Sequence, residues 1–187
     1  MAFFTRYPIA GLTLGALVPI PAVIAADYLS VEAAQKAIFP EADAFRIIAL
    51  PQSTELLQAV AVRAGPQPAH GTLRIWQAMR GGEAVGSLFI DEVIGRQSLI
   101  TYALGIDSAG ALRTVEILSY RESHGGEIRN ASWRAQFAHR DDLAQLRFRT
   151  DIKNISGATL SSEHVTQGVR WLLALWQTAL RPSSNPE

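Results

Sequence analysis

Residues 100–120 read ITYALGIDSAGALRTVEILSY, two runs rich in Ile, Leu, Val and Tyr separated by the small residues Ser108, Ala109 and Gly110. Both runs repeat with a period near two, the signature of strands. A connection this short can only turn the chain back on itself, so the runs are expected to pair antiparallel. Upstream the period continues through Thr72 to Met79 and Ala84 to Asp91, with Gly81-Gly82 and Gly95-Arg96 as the intervening turns. Four strands follow, Thr72–Met79, Ala84–Asp91, Leu99–Asp107 and Ala111–Tyr120, in a twisted meander.

Downstream the period changes to that of a helix from Glu163 to Leu180, with Val165, Val169, Leu172, Leu173 and Trp176 along one face for packing on the sheet. Trp171 falls on another face, either partly exposed or touching the N-terminal helices. Before the strands, Ser30 caps a helix carrying Val31, Ala34 and Ile38 and ended by Pro40, and a second helix runs from about Ser53 to Arg63. Gly65, Pro66 and Pro68 mark a loop, and His70 beside Gly71 reads as a solvated residue. The expected fold is α+β, an antiparallel four-stranded or larger twisted sheet packed by helices, in a single domain after a signal peptide.

The leader rests on residues 1–26. Arg6 is followed by an uncharged run from Tyr7 to Ala26, whose apolar part is short for a bilayer span and is broken by Pro19 and Pro21 before Val23-Ile24-Ala25-Ala26. Cleavage after Ala25 or Ala26, or retention as a signal anchor, both place the protein outside the cytoplasm. The remaining chain, about 160 residues, suits one domain; it divides into a helical segment 27–70, a main domain 71–181 and a tail 182–187 whose composition points to disorder. The 17 basic residues balance 17 acidic ones, and without Arg6 the count is 16 against 17, so nothing favours nucleic acid as a partner. The absence of cysteine excludes disulfides, thiolate metal sites, iron–sulfur clusters and covalent haem.

Between strands and last helix lies DIKNISGATLSSEHV, residues 151–165. Gly157 permits backbone angles closed to other residues and Ala158 keeps the surroundings small, so the main chain can approach an anionic group closely. Ser161 and Ser162 are expected to cap a helix beginning near Glu163, with Glu163 in its first turn and Thr159 as the hydroxyl placed to carry a phosphate at the positive helix end. A Gly-containing loop before a capped helix accounts for the same string without any ligand. His164, in the first turn, reads as solvated. A second polar stretch, ILSYRESHGGEIRN, residues 117–130, follows the last strand and ends it on a Gly-rich loop. Beyond it Trp133 and Phe137 sit one turn apart in a short helix and should pack together, and Asp141-Asp142 lacks the spacing of a metal site. No residue pair reads as a catalytic acid–base dyad.

Ser156, Gly157, Ala158 and Thr159 resemble the flavin-attachment motif of the FMN-binding domain family, approximately Asp-x-x-Ser/Thr-Gly-Ala-Thr, found in flavin-carrying subunits of sodium-translocating and related ion-pumping oxidoreductases and in small exported flavoproteins. Arg121, Glu122, Ser123, Gly125 and Gly126 are similar to the family's basic-Glu-Thr loop with its following glycine, and Asp151-Ile152 matches a dipeptide that leads into the motif. One position departs: Lys153 stands where the family has Asp, and Asp151 lies two residues too early. The resemblance implies FMN esterified through its phosphate to Thr159, with Ser156, Gly157, Ala158, Ser161 and Ser162 around the tether. It implies that the loop of Glu122 and Ser123 closes over the flavin ring, Glu122 fixing the loop or accepting a hydrogen bond. It further implies electron transfer, a flavin transferase that uses FAD and a divalent metal, and a membrane redox protein as donor or acceptor, in a periplasmic or extracytoplasmic setting. Two other readings stay open, a reductase binding FMN without a covalent bond and a flavin-free interaction module.

Overall fold

The computed structural model describes residues 26–51, 53–69 and 71–182; residues 1–25 of the expected signal peptide, His70 and the expected tail from 183 onward lie outside the described residues. In chain order the elements are β1 (Ala26–Asp27), α1 (Val31–Ile38), β2 (Ala44–Ile48), α2 (Thr54–Ala64), β3 (Arg74–Arg80), β4 (Glu83–Ile94), β5 (Leu99–Asp107), β6 (Leu112–Tyr120), α3 (Ala131–Arg134) and α4 (Thr159–Ala179). Short 3-10 turns surround α3 and follow it. The expected α+β fold is present, with six strands in the order β1-β6-β5-β4-β3-β2 and every neighbouring pair antiparallel. The four expected strands are its centre, and α1 and α2 begin at Ser30 and Ser53, whose hydroxyls accept from Ala33 N and Leu56 N, each at 3.2 Å.

The segment 27–70 is not purely helical: β2 joins the same sheet as its edge, and β1 pairs with Ser119 and Tyr120 at the other edge. Strand β2 escapes the periodic reading because, as an edge, it leaves Ile47 exposed and carries Arg46, so its apolar signal is weak.

Helices cover both faces. On one, Ala34, Ile38 and Phe39 of α1 and its end pack against Leu88, Ile90, Ala103 and Leu118. On the other, Val165, Val169, Leu172 and Trp176 of α4 meet Phe89, Val93, Ile100, Tyr102 and Leu104, with Val60 of α2 in the same core. Double-sided burial explains why the central strands read as nearly unbroken apolar runs. Each such side chain contributes roughly 1.5–3 kcal/mol through removal from water. Trp171 is buried and shares an apolar cavity of about 250 Å³ with Leu56 and Leu57, so it meets the N-terminal helix α2 and is not on the surface. Its indole N–H has no hydrogen-bond partner among the described residues. Trp133 and Phe137 do stack edge-on, with ring centroids 5.1 Å apart. Among the described residues no helix is long and apolar enough to cross a membrane.

Helix α4 approaches the sheet most closely at Gly168. A Cβ there would be driven into the hydroxyl of Tyr102 and would lie 3.1 Å from Val93. The Tyr102 hydroxyl donates at 2.7 Å to the carboxylate of Asp91, its cross-strand neighbour, and both side chains are buried. Exchanging a mid-helix glycine for alanine normally stabilises a helix by about 1 kcal/mol. Here Gly168→Ala is expected to destabilise instead, because the added methyl must lift α4 or break the Tyr102–Asp91 bond. Chemical denaturation of the two proteins checks this, and a gain in stability for the variant would refute the close approach.

Candidate functional site

Helix α4 starts four residues before the expected Glu163. Ala158 is its N-cap and makes no side-chain cap, Thr159 is the first helical residue, and Glu163 falls in the second turn. The correction has a local cause. The Ser162 hydroxyl lies 2.9 Å from Ala158 O, the carbonyl four residues back, so it can donate within the helix. Ser161 instead shares a hydrogen bond of 3.2 Å with the Tyr120 hydroxyl. Both serines are buried members of the first turns, not caps. The i→i−4 ladder opens only at Ser162 N to Ala158 O, 3.0 Å, leaving the amides of Thr159, Leu160 and Ser161 ahead of it. With no acidic side chain in the first turn, the positive end of a 21-residue helix is left for an external anion.

The loop before the helix is held on three sides. Ile152 is fully buried, Trp133 Nε1 donates to Lys153 O at 2.8 Å, and Lys153 N donates to Gln136 Oε1 at 2.8 Å. Gly157 has φ +82°, the left-handed region, and a Cβ on it would meet nothing within 4 Å. The loop is thus open directly in front of the helix N-terminus. Asp151 is paired with Arg147 through a 2.8 Å contact.

Two other segments complete the site. Successive antiparallel strands bring the β4–β5 turn and the exit of β6 to the same end of the sheet. There Glu122 Oε1 accepts from Gln97 N at 2.7 Å and Ser98 N at 2.9 Å, so its carboxylate fixes the turn. Glu122 thus accepts hydrogen bonds from the backbone and, in doing so, fixes the neighbouring turn. The turn can come so close because Gly95 has no side chain: a Cβ would lie 2.6 Å from Glu122 Oε1. Tyr120 donates to His124 O and shares its hydroxyl with Ser161, joining the glycine-rich loop to α4. Gly125, φ +88°, lets that loop rest on Ala158, into whose methyl a Cβ would be driven. His164 adds a further tie, its Nδ1 donating to Ile94 O at 2.5 Å, so it is hydrogen-bonded to the strand end rather than simply solvated.

These segments enclose a cavity of about 710 Å³ lined by Arg96, Gln97, Glu122, Ser123, His124 and residues 157–161. The size lies within the range typical of small-molecule and cofactor sites. Of the sequence-predicted residues it brings together Gly157, Ala158, Thr159, Ser161, Glu122 and Ser123. Ser156 is exposed outside the lining and Ser162 is buried beneath it. Arg96, Gln97 and His124 join the site without having been singled out. Strand parity was the available signal, since three antiparallel strands in succession return the Gly95-Arg96 turn to the end where Glu122 emerges. A hollow of about 770 Å³ on the α1 face is bordered by Arg74, Glu92, Thr101 and Arg121; it takes Arg121, the basic residue of the motif-like loop, away from the cavity lined by Glu122 and Ser123 and contains no residue of the Ser-Gly-Ala-Thr string.

Burial pushes the Glu122 carboxyl up, but hydrogen bonds from the amides of Gln97, Ser98 and Arg96 and the nearby Arg96 charge outweigh it and hold the group below the usual carboxylate range. The arrangement therefore offers free amides and a positive helix end, a hydroxyl at Thr159 on the first helical residue, and an open concave wall beside it. Its groups fit a phosphate-bearing cofactor. Residues 95–174 match the model of the FMN-binding domain family. The match points to flavin as the ligand of that stretch; it is to the domain and does not single out the flavin-carrying subunits of ion-pumping oxidoreductases. No curated protein matches the chain.

Because folding lowers the Glu122 pKa, its contribution is present above the unfolded carboxyl pKa and is lost as pH falls through the folded one. Glu122→Gln should remove that acid-dependent part of the stability curve while costing about 1 kcal/mol at neutral pH; parallel acid titrations followed by circular dichroism read both. Gly125→Ala is expected to weaken FMN binding far more than Gly157→Ala, since the first adds a clash with Ala158 to the strained φ and the second adds strain alone. Flavin titration of the two variants compares them, and equal affinities would refute the packing of the loop on Ala158.

Proposed function

We propose that this protein is an exported electron carrier whose FMN is joined through a phosphoester bond to Thr159. The observation that carries the reading is the position of Thr159: a hydroxyl on the first residue of α4, behind an open Gly157, at a helix end with unpaired amides and within the lining of the cavity. The match of residues 95–174 to the FMN-binding domain supports flavin as the occupant. Bound FMN supplies reversible electron transfer.

The chain's own residues would divide the work. Thr159 ties the phosphate, while the amides of the first turn and the helix dipole stabilise its charge. Glu122, Gln97 and Ser98 shape the wall beside the ring, and Ser123 lines it. A covalent tether suits a carrier outside the cytoplasm, where free flavin is scarce and cannot be relied on to refill a site. The partners this requires are a flavin transferase that loads the protein from FAD with a divalent metal, and a membrane redox protein that exchanges electrons with it.

Co-expression with a flavin transferase is expected to add the mass of FMN less one water, mapping to Thr159. Thr159→Val should lose that mass entirely while keeping the wild-type circular dichroism spectrum; acid-stable flavin on the variant would place the attachment elsewhere. Lys153 has an exposed side chain, and its main chain is held by Trp133 and Gln136 whichever residue occupies the position. Lys153→Asp is therefore expected to fold normally. A severalfold rise in loading rate would identify the departure from the motif as a brake, and equal rates would show that lysine serves as well.

A further inference from the structure

Asn154 is absent from every motif position, yet it is the residue whose side chain reaches Thr159. Its Nδ2 donates to Thr159 Oγ1 at 3.3 Å, and its Oδ1 accepts from Ser162 Oγ at 3.1 Å. The single Ser162 hydroxyl hydrogen is within reach of Asn154 Oδ1 as well as of Ala158 O, and when directed at Asn154 it sets which way the amide points; Ser162 itself is fully buried in the first turn of α4. On the chain side, the neighbouring Lys153 is clamped at both its N–H and its carbonyl by Gln136 and Trp133. Asn154 is therefore held by its own backbone on one side and by α4 on the other, with its donor aimed at the hydroxyl.

We propose that Asn154 is a positioning residue for covalent flavin loading, holding the Thr159 hydroxyl and polarising its oxygen for attack on phosphorus. The inference rests on the reading of Thr159 as the attachment site. In the reaction, Thr159 Oγ1 forms a bond to the phosphorus on the FMN side of FAD, and the bond from that phosphorus to the bridging oxygen breaks. AMP leaves with the bonding pair, and the hydroxyl proton passes to a base supplied by the transferase or solvent. No oxidation state changes. A hydrogen bond donated into Oγ1 uses one lone pair, leaves another for attack, and turns the hydroxyl's hydrogen outward toward the base. It also stabilises the negative charge that grows on oxygen as the O–H bond breaks. A neutral amide does this without repelling the phosphates, which a carboxylate in the same place would do.

The test uses purified wild-type protein, Asn154→Ala and Asn154→Asp with a purified flavin transferase, FAD and a divalent metal, following intact mass and AMP release. Both variants are expected to load about tenfold more slowly than wild type. Their melting temperatures should be unchanged, since Asn154 is exposed. Asn154→Asp adds a readout that a merely structural role would not move. As pH falls and the introduced carboxylate takes up a proton, it regains a donor, so its rate relative to wild type at the same pH should rise. Wild-type loading by Asn154→Asp, or a ratio that stays flat as pH falls, would overturn the proposal. A wild-type protein that gains no flavin under conditions that load a control overturns the Thr159 reading and this one with it, whereas normal wild-type loading with unaffected variants overturns this one alone.

Discussion

The descent of α4 onto the sheet at Gly168 is the constraint on which the site depends. Below that glycine, Tyr102 and Asp91 face each other across β5 and β4, joined by a buried hydrogen bond. The pair leaves no room for a side chain above it. Farther along, Trp176 Nε1 donates to Ser87 Oγ, and Arg170 donates to Leu143 O. The helix is thereby fixed in height, rotation and position along its axis. Its N-terminus, which carries Thr159, inherits that precision although it lies at the edge of the domain.

Around this fixed helix end, two mobile-looking segments are made rigid by single side chains. Glu122 holds the β4–β5 turn through main-chain amides, and Tyr120 links the glycine-rich loop to Ser161. Neither interaction needs to be strong. Each replaces a hydrogen bond to water with one whose geometry is set by the sheet, and a site wall built this way varies little in shape. Glycines at 95 and 125 are placed where these walls touch their supports, so their lack of a side chain is a packing requirement as much as a conformational one. The result is a site whose three walls come from a turn, a strand exit and a helix start, brought together at one end of an antiparallel meander.

Much of this was legible in the residues. The strands β3 to β6 follow from runs rich in apolar residues, with a period near two, between small turns, and α1 and α2 from Ser30 and Ser53, because these signals are local. The Ser-Gly-Ala-Thr string is legible too, through Gly157 and the hydroxyl two residues later. The start of α4 was not: Ser161 and Ser162 have the chemistry of caps, and only the presence of Tyr120 and the Ala158 carbonyl beside them turns their hydroxyls inward. Strand β2 was hidden by its edge position, where one face needs no apolar residue. Arg96 and Gln97 were hidden because a turn of charged and polar residues looks the same whether it faces solvent or a site.

The sequence by itself therefore determined the central strands, the first two helices and the presence of the Ser-Gly-Ala-Thr string, since helix and strand periodicity, turn chemistry and short motifs are properties of neighbouring residues. The tertiary structure alone decided where α4 begins, which role Glu122 plays, and that Asn154 is the side chain touching Thr159. Those outcomes turn on a choice among competing hydrogen-bond partners, some distant in the chain, such as Tyr120 for Ser161 and Gln97 for Glu122, and some near, such as Thr159 for Asn154. A serine, a carboxylate or an amide can satisfy itself locally, with water or across the fold, and the tertiary structure selects among these by which partner it brings within hydrogen-bond reach.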